Sequence, residues 1–143
     1  MTTSRASAVW EGKLKDGRGV FKAGSQAFQA PYSFQTRFEG AKGSTPEELI
    51  AAAHAACLAM ALSAGLEKAG TPGTRVSVDA ACTIETVDGA PTITTMALTV
   101  KGKVAGIDNA AFQKAAQGAK DGCPVSRALK GNVKITLEAQ LET

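Results

Sequence analysis

The most strongly apolar stretch of the chain runs from Thr45 to Gly70 and predicts one long helix. Thr45 can cap its start, Pro46 suits the first helical position, and Glu48 stands three residues after the cap, as in a capping box. Gly70 is a typical residue for a helix end. Alanines and larger apolar residues occupy nearly every side of the segment, which predicts a buried helix that another backbone can approach closely.

A helix of this length constrains the rest of the fold. About 25 residues at 1.5 Å rise span roughly 37 Å, whereas a compact chain of 143 residues has a radius of gyration of about 14–15 Å. The other elements must wrap around the helix, or a second copy of the chain must help to cover it, and we therefore infer a dimer. A membrane span is disfavoured because alanine is only weakly apolar, His54 is internal, and carboxylates flank both ends.

Alternation of apolar and polar residues predicts the strands around this helix. They cover residues 6–14, 19–23 and 28–34 before the helix, 75–85 and 94–104 after it, and 133–141 at the end. Pro31 indicates an edge strand, residues 37–44 a loop, and residues 108–120 and 123–131 two further helices. The order βββ-α-ββ-αα-β predicts one α+β domain, residues 1–143, with antiparallel sheets wrapped around the long central helix.

Composition removes several classes of function. The net charge is +3 without a basic run, which argues against nucleic acid as a partner. Three cysteines without a CxxC pair do not form a disulfide framework. Residues 1–13 lack the apolar segment of a secretory signal, so a cytoplasmic protein that keeps its thiols reduced is expected.

Sulfur is the remaining source of chemistry, because the common nucleotide, zinc-protease and serine-hydrolase motifs are missing. Cys57 lies in the middle of the long helix, and Cys82 lies on the apolar face of a strand. Cys123 precedes Pro124 at a helix start, where free N–H groups and the helix dipole favour a thiolate. Local physics alone therefore makes Cys123 the most acidic thiol.

Three other side chains bear on these thiols. His54 stands three residues before Cys57 and could be half of a zinc site, but the chain has no second histidine and no metal site is expected. On a helical wheel Glu47 lies about 80° from Cys57, whereas Glu48 lies about 180° away. Arg37 carries the positive charge that a buried thiol needs in order to ionise.

The motifs together resemble one known family. Arg37–Gly40, Pro46–Leu49, His54–Cys57 and Gly122–Ser126 are similar, in order and spacing, to motifs of the OsmC/Ohr family, and Trp10–Gly12 resembles its OsmC branch. The resemblance implies a thiol peroxidase that reduces organic hydroperoxides in oxidative-stress defence. It also implies an intertwined homodimer around a pair of central helices.

The resemblance further assigns roles to residues. Cys57 would be the peroxidatic thiolate, Arg37 would stabilise it and polarise the peroxide, Glu47 would hold the arginine, and Cys123 would resolve the sulfenic acid through a Cys57–Cys123 disulfide. An external dithiol, which the family suggests to be of dihydrolipoyl type, would regenerate the thiols, and no metal, haem or flavin would be needed. This order of attack conflicts with the local preference for a Cys123 thiolate unless Arg37 dominates at Cys57.

An apolar pocket would select organic peroxides. Its nearest candidates are Phe34, Phe38, Leu58 and Met60, although core packing explains the same residues. Three other functions stay open: a zinc- or thiol-binding module built on Cys57, His54 and Cys123, a structural role with inert thiols, and a binder of small apolar ligands.

Overall fold

The computed structural model describes residues 1–142, which form two compact units. The first unit comprises Met1–Glu48, and the second begins at Leu49. The elements follow the order βββ-αα-ββ-αα-β, which adds one helix to the predicted sequence of elements. The predicted α+β class is confirmed.

A three-stranded antiparallel sheet forms most of the first unit. Its strands are β1 (Ala6–Glu11), β2 (Arg18–Ala23) and β3 (Gln29–Tyr32), in the order β1-β2-β3. Pro31 lies on the edge strand β3, as predicted. An edge position tolerates proline because one side of the strand makes no ladder hydrogen bonds.

A short helix, α1 (Phe34–Phe38), follows this sheet where the pattern predicted the end of a strand and a loop. Ser33 and Thr36 form a capping box: the Ser33 hydroxyl accepts the Thr36 N–H at 3.1 Å, and Thr36 Oγ1 accepts the Ser33 N–H at 3.0 Å. This reciprocal pair satisfies two donors and starts a helix too short to show a period. Arg37 is therefore a helical residue and not a loop residue.

The long helix α2 (Pro46–Lys68) begins and ends as predicted. Thr45 Oγ1 accepts the Glu48 N–H at 3.0 Å. Gly70, with φ of 84°, adopts the left-handed conformation that terminates a helix. By length and composition α2 would also suit a membrane span, as many core helices of soluble proteins do.

Within one chain α2 is buried along one stripe only, which corrects the expectation of a helix buried on every side. The stripe repeats every four residues, as one face of a helix does: His54, Leu58, Leu62 and Leu66, all fully buried. The opposite face is exposed and consists of small or flexible residues: Ala52, Ala53, Ala56, Met60 and Ala64.

The second sheet contains β4 (Gly73–Val87), β5 (Ala90–Val104) and β6 (Lys134–Glu142), in the order β4-β5-β6. Asp88 and Gly89, with φ of 52° and 80°, form the predicted hairpin turn. β6 pairs parallel to β5, so the expectation of antiparallel sheets is wrong for this strand. Two helices lie between these strands in the chain, and such a crossover brings the chain back to the end at which β5 began.

These two helices are α3 (Asn109–Gly122) and α4 (Pro124–Leu129). The Asp108 side chain caps α3 by accepting the Ala111 N–H at 2.8 Å. The core of the second unit gathers buried residues from α2, β5 and α3 around Val133: Leu58, Leu62, Leu66, Met96, Leu98, Val100, Val104, Phe112 and Ala116. This core fixes the middle of α2 beside the junction of α3 and α4.

Candidate active site

Two thiols meet in the second unit. Cys57 projects from the middle of α2, and Cys123 joins the end of α3 to the start of α4. Their sulfur atoms lie 2.9 Å apart and share a hydrogen bond, and neither is in a disulfide. Cys123 is fully buried, whereas Cys57 is partly exposed. The pair can therefore exchange a proton directly, and an external molecule reaches the sulfur of Cys57 more easily.

The backbone at Cys123 explains its position. Pro124 at the first position of α4 excludes a helical conformation for the residue before it, and Cys123 is extended, with φ of −57° and ψ of 127°. Its N–H still binds the last turn of α3 through Ala119 O at 2.8 Å, and its carbonyl accepts the Arg127 N–H of α4 at 3.0 Å. One residue thus ends one helix and begins the next, with its side chain turned into the core.

The two thiols differ in acidity. Burial raises the pKa of Cys57, and the hydrogen bond to Cys123 raises it further, which the Val125 N–H only partly offsets. Burial also acts to raise the pKa of Cys123, but the bond to Cys57 and the nearby donors of Ser126 and Val125 outweigh it, so this pKa falls below its ordinary value. Within one chain the first proton therefore leaves Cys123 and the remaining proton stays on Cys57, in agreement with the preference derived from local physics.

A buried histidine lies next to the thiol pair. His54 Nε2 and Ser126 Oγ are 2.7 Å apart, and both residues are buried. His54 Nδ1 has no hydrogen-bond partner. Burial lowers the pKa of His54, so the ring is neutral at neutral pH. The sequence placed His54 on the same helical face as Cys57 but gave no reason to connect it with Ser126, which is 72 residues away.

The first unit holds the predicted arginine and its carboxylate. Glu47 Oε1 accepts a hydrogen bond from Arg37 Nε at 2.8 Å and forms an ion pair with Arg37 Nη2 at 2.7 Å. Glu47 is only 5% exposed, whereas its neighbour Glu48 faces solvent. Glu47 Oε2 has no partner. The Arg37 guanidinium also lies 5.2 Å from the centre of the Phe38 ring, so the carboxylate and the ring together fix its orientation.

A cavity of about 220 Å³ adjoins this arginine in the first unit. Aromatic and aliphatic side chains dominate its lining: Trp10, Leu14, Tyr32, Ser33, Phe34, Arg37 and Phe38. Phe34 and Phe38, two of the four pocket candidates, thus line a cavity. Leu58 instead belongs to the core, with no exposed surface, and Met60 lies on the exposed face of α2. We therefore omit Leu58 from any pocket.

Cys82 lies on β4 opposite Met96 and packs against the core of the second unit. Within residues 1–142, no group of three or more histidine, cysteine or acidic side chains is arranged to hold a metal ion. His54 bonds to Ser126, whereas Cys57 and Cys123 bond to each other.

Similarity to known proteins identifies the family. A sequence profile described as OsmC-like protein matches residues 39–138. Peroxiredoxin OsmC of Escherichia coli (strain K12) is 46% identical over 140 residues, which are 97% of this chain and 96% of that protein. The chain belongs to the OsmC-like family. An organic hydroperoxide resistance protein of Xanthomonas axonopodis pv. citri is 34% identical over 127 residues, 86% of this chain and 85% of that protein.

Solved structures agree with the OsmC-like fold. The OsmC-like protein of Mycoplasma pneumoniae superposes with a TM-score of 0.77 at 16% identity and covers 99% of each chain. At 16% identity, this similarity is evidence about the fold and not about the function. The strand that broke the antiparallel pattern, β6, is thus part of an architecture that dissimilar OsmC-like sequences share.

Proposed function

We propose that this protein is a thiol peroxidase that reduces organic hydroperoxides to alcohols and serves in oxidative-stress defence. The observation that carries the proposal is the 2.9 Å contact between the sulfurs of Cys57 and Cys123 in a chain of the OsmC-like family. Two thiols in contact, one buried and one accessible, form the minimum apparatus for a peroxidase that cycles between a dithiol and a disulfide.

The first step uses Cys57, the thiol that external molecules reach. Its thiolate attacks one oxygen of ROOH, the O–O bond breaks, and the sulfur becomes a sulfenic acid while RO⁻ takes a proton and leaves as ROH. The pair of thiols holds one proton in its reactive state. When Cys57 is the thiolate this proton lies on Cys123, whose sulfur is 2.9 Å away, and it can be transferred to the alkoxide, which leaves Cys123 as the thiolate.

The second step joins the two sulfurs. The Cys123 thiolate attacks the sulfur of the Cys57 sulfenic acid, the S–O bond breaks, and hydroxide leaves as water after gaining a proton. An external dithiol then attacks the Cys57–Cys123 disulfide, is itself oxidised to a disulfide, and returns both cysteines to thiols. A dihydrolipoyl-type donor has the two thiols that this exchange needs, and no metal or organic cofactor takes part.

Arg37 resolves the conflict over acidity in this proposal. In one chain the negative charge of the thiol pair favours Cys123, yet the attack requires it on Cys57. A guanidinium brought close to Cys57 would draw the charge to that sulfur and would also polarise the peroxide. Glu47 holds Arg37 in one orientation, and its unpartnered oxygen leaves an acceptor for a further donor.

The cavity beside Arg37 would bind the organic part of the substrate. Its lining is largely aromatic, with Trp10, Phe34 and Phe38 among the side chains, and burial of an alkyl or aryl group there is favourable. Hydrogen peroxide has no such group. The specificity for organic peroxides would thus come from the apolar lining of this cavity.

Turnover measurements test this function. We expect the reduced protein to consume cumene hydroperoxide at least about tenfold faster than hydrogen peroxide, given the apolar contacts that only the organic substrate makes. Dihydrolipoamide should sustain turnover, whereas glutathione at equal thiol concentration should do so poorly. Peroxide loss no faster than that caused by the donor alone would contradict the proposal and would favour a binder of small apolar ligands.

We also propose that the protein works as a homodimer and that the exposed face of α2 lies in the interface. This face carries Ala52, Ala53, Ala56, Met60 and Ala64, and Met60 alone is 78% exposed. An apolar face of a long helix is unfavourable in water, and small residues let a second helix approach closely.

Replacement of Met60 by glutamate tests the interface. A charge buried between two helices is costly, so Met60→Glu should shift the protein from dimer to monomer in sedimentation velocity experiments at micromolar concentration. Thr136→Glu, which adds the same charge at an exposed position of β6, is the matched control and should remain dimeric. A Met60→Glu protein that sediments as the wild type does would exclude this face.

Two further parts of the proposal follow from the chain as a whole. The family match over residues 39–138 crosses the boundary between the two units, which supports one functional domain over residues 1–143. We propose a cytoplasmic location because the reduced state of Cys57 and Cys123 is the one that begins the cycle, and the cytoplasm keeps thiols reduced.

A further inference from the structure

The contact between His54 and Ser126 has no part in the cycle above, although it adjoins Cys123. Ser126 stands three residues after Cys123 in the first turn of α4, and its N–H and hydroxyl both act to lower the pKa of that cysteine. The hydroxyl is also 2.7 Å from His54 Nε2. The buried Ser126 hydroxyl therefore contacts the imidazole and also acts on the resolving sulfur, which belongs to the residue at the start of the same helix.

The direction of these bonds follows from the unpartnered atom of the ring. His54 is neutral, so one ring nitrogen carries a proton and the other a lone pair. Nδ1 is buried without a partner, and a buried N–H without an acceptor is rarer than an unfilled lone pair. The proton is therefore assigned to Nε2, which donates to Ser126 Oγ. The serine hydroxyl then keeps its own proton for donation, and the Ser126 side-chain hydrogen bond that lowers the pKa of Cys123 identifies this sulfur as the acceptor.

We propose that His54 and Ser126 are positioning residues that hold Cys123 as a thiolate through a buried relay, in which His54 orients the Ser126 hydroxyl and this hydroxyl stabilises the sulfur. The role of the relay in turnover rests on the proposed peroxidase function. Within the cycle it acts after peroxide attack, when the proton of the thiol pair has left with the alcohol and Cys123 must carry the charge.

The same relay assists the reductive step. Cys123 is fully buried and Cys57 is not, so an external dithiol attacks the sulfur of Cys57 in the disulfide and expels Cys123. The bond between the cysteines breaks, its electron pair goes to Cys123, and a stabilised thiolate leaves faster. One side-chain pair thus serves Cys123 as nucleophile and as leaving group.

A direct titration tests the relay without reference to peroxide. In a Cys57→Ser background, the ultraviolet absorbance of the Cys123 thiolate should report an apparent pKa that rises by about one unit in Ser126→Ala and in His54→Leu, as loss of one charge-assisted hydrogen bond implies. His54→Gln keeps an N–H donor and should restore most of the wild-type value. Ser63→Ala, a serine exposed on α2, is the control. Unchanged titration in both Ser126→Ala and His54→Leu would overturn the proposal.

Other charges near α4 stay constant in these variants. Lys120, Asp121, Arg127 and Lys130 line a cavity of about 240 Å³ that also touches Ser126. Cys57 is the titratable group that contacts Cys123 from α2, and the titration removes it by design. A shift of the pKa in Ser126→Ala and His54→Leu is then due to the relay and not to these groups.

Single-turnover kinetics in the full dithiol enzyme separate the relay from a folding defect. Ser126→Ala and His54→Leu should slow disulfide formation from the Cys57 sulfenic acid about three- to tenfold at neutral pH, because the thiolate fraction falls while intrinsic nucleophilicity rises. Higher pH should restore the rate, since a raised pKa moves thiolate formation upward. Peroxide attack should stay equal or become faster. Equal slowing of both steps at every pH would refute the relay, whereas no sulfenic acid in the wild type would refute the peroxidase function instead.

Discussion

Cys57→Ser should abolish reduction of organic hydroperoxides, with a loss of roughly a thousandfold or more in rate, because a serine hydroxyl at neutral pH cannot replace a thiolate as nucleophile. Cys123→Ser should behave differently. It retains the accessible thiol of Cys57, so the first equivalent of peroxide should still be consumed, and Cys57 should then remain as a sulfenic acid that a carbon nucleophile such as dimedone traps. Initial-rate and trapping assays on the two variants measure these outcomes.

Cys82→Ser provides the matched control, because Cys82 is half-buried on β4 in the same unit. Its turnover should equal that of the wild type. If Cys82→Ser were as inactive as Cys57→Ser, or if Cys57→Ser kept more than about a tenth of the activity, the reacting sulfur would lie elsewhere and Cys57 would be a core residue, as buried cysteines often are.

The second large effect concerns Arg37. Arg37→Ala should lower kcat/KM for an organic hydroperoxide about 100-fold, the usual cost of removing one charged group that stabilises a reacting centre. In a Cys123→Ser background, the pKa of Cys57 measured from the ultraviolet absorbance of its thiolate should also rise in Arg37→Ala, because the variant lacks the positive charge proposed to favour the thiolate. Arg37→Lys should recover only part of the loss, since one ammonium cannot reproduce both the Nε hydrogen bond and the Nη2 ion pair with Glu47.

Glu47→Gln removes the negative charge beside Arg37 but keeps a group that can orient the guanidinium. Glutamine can still accept a hydrogen bond from Arg37, so we expect a milder loss, about tenfold, mainly from a less fixed guanidinium. Glu48→Gln removes an exposed carboxylate one residue away and should have no effect on turnover. An Arg37→Ala variant with unchanged kcat/KM and an unchanged Cys57 pKa would exclude Arg37 from the site.

Mixed dimers then determine which protomer supplies the arginine. In a heterodimer of Arg37→Ala with Cys57→Ser, one protomer keeps Cys57 and the other keeps Arg37. If the mixed dimer is active, Arg37 acts on Cys57 of the partner. If the mixed dimer is inactive, Arg37 and Cys57 of each site belong to the same protomer.

The elements of the fold could be predicted wherever a segment was long enough to show its period. The helix over Pro46–Lys68, the turn at Asp88 and the cap at Asp108 followed from local rules alone. The helix over Phe34–Phe38 did not, because five residues contain little more than one turn and Phe34 continued the alternation of the preceding strand. The parallel pairing of the last strand depends on a crossover of the chain, which alternation within one strand cannot report.

In the candidate site, too, local features could be predicted from the sequence, whereas contacts between residues far apart in the chain could not. The helical wheel separated the directions of Glu47 and Glu48 but did not predict which carboxylate faces solvent. The Pro124 motif indicated Cys123, whose pKa falls below its ordinary value. The contact of Cys57 with Cys123 spans 66 residues and was expected only from the family resemblance. The bond between His54 and Ser126 had no such guide, since neither residue belongs to a pattern whose chemistry requires the other.

The proposed homodimer would also explain why α2 is less buried than its sequence predicted. The pattern of alanines in α2 is correct for a helix covered on most sides, yet one chain buries only the stripe through Leu58 and Leu62. A helix surface that a second chain covers has an apolar composition similar to that of a hydrophobic core. The exposed Met60 is therefore consistent with the homodimer proposed above.

A thiol count on the reduced wild-type protein, made without oxygen before and after one equivalent of an organic hydroperoxide and followed by peptide mapping, tests the central claim most directly. We expect two of the three thiols to disappear within seconds, with Cys57 and Cys123 recovered in one disulfide-linked peptide pair and Cys82 still reduced. Persistence of all three thiols after minutes in excess peroxide, or a disulfide that joins any other pair, would contradict it.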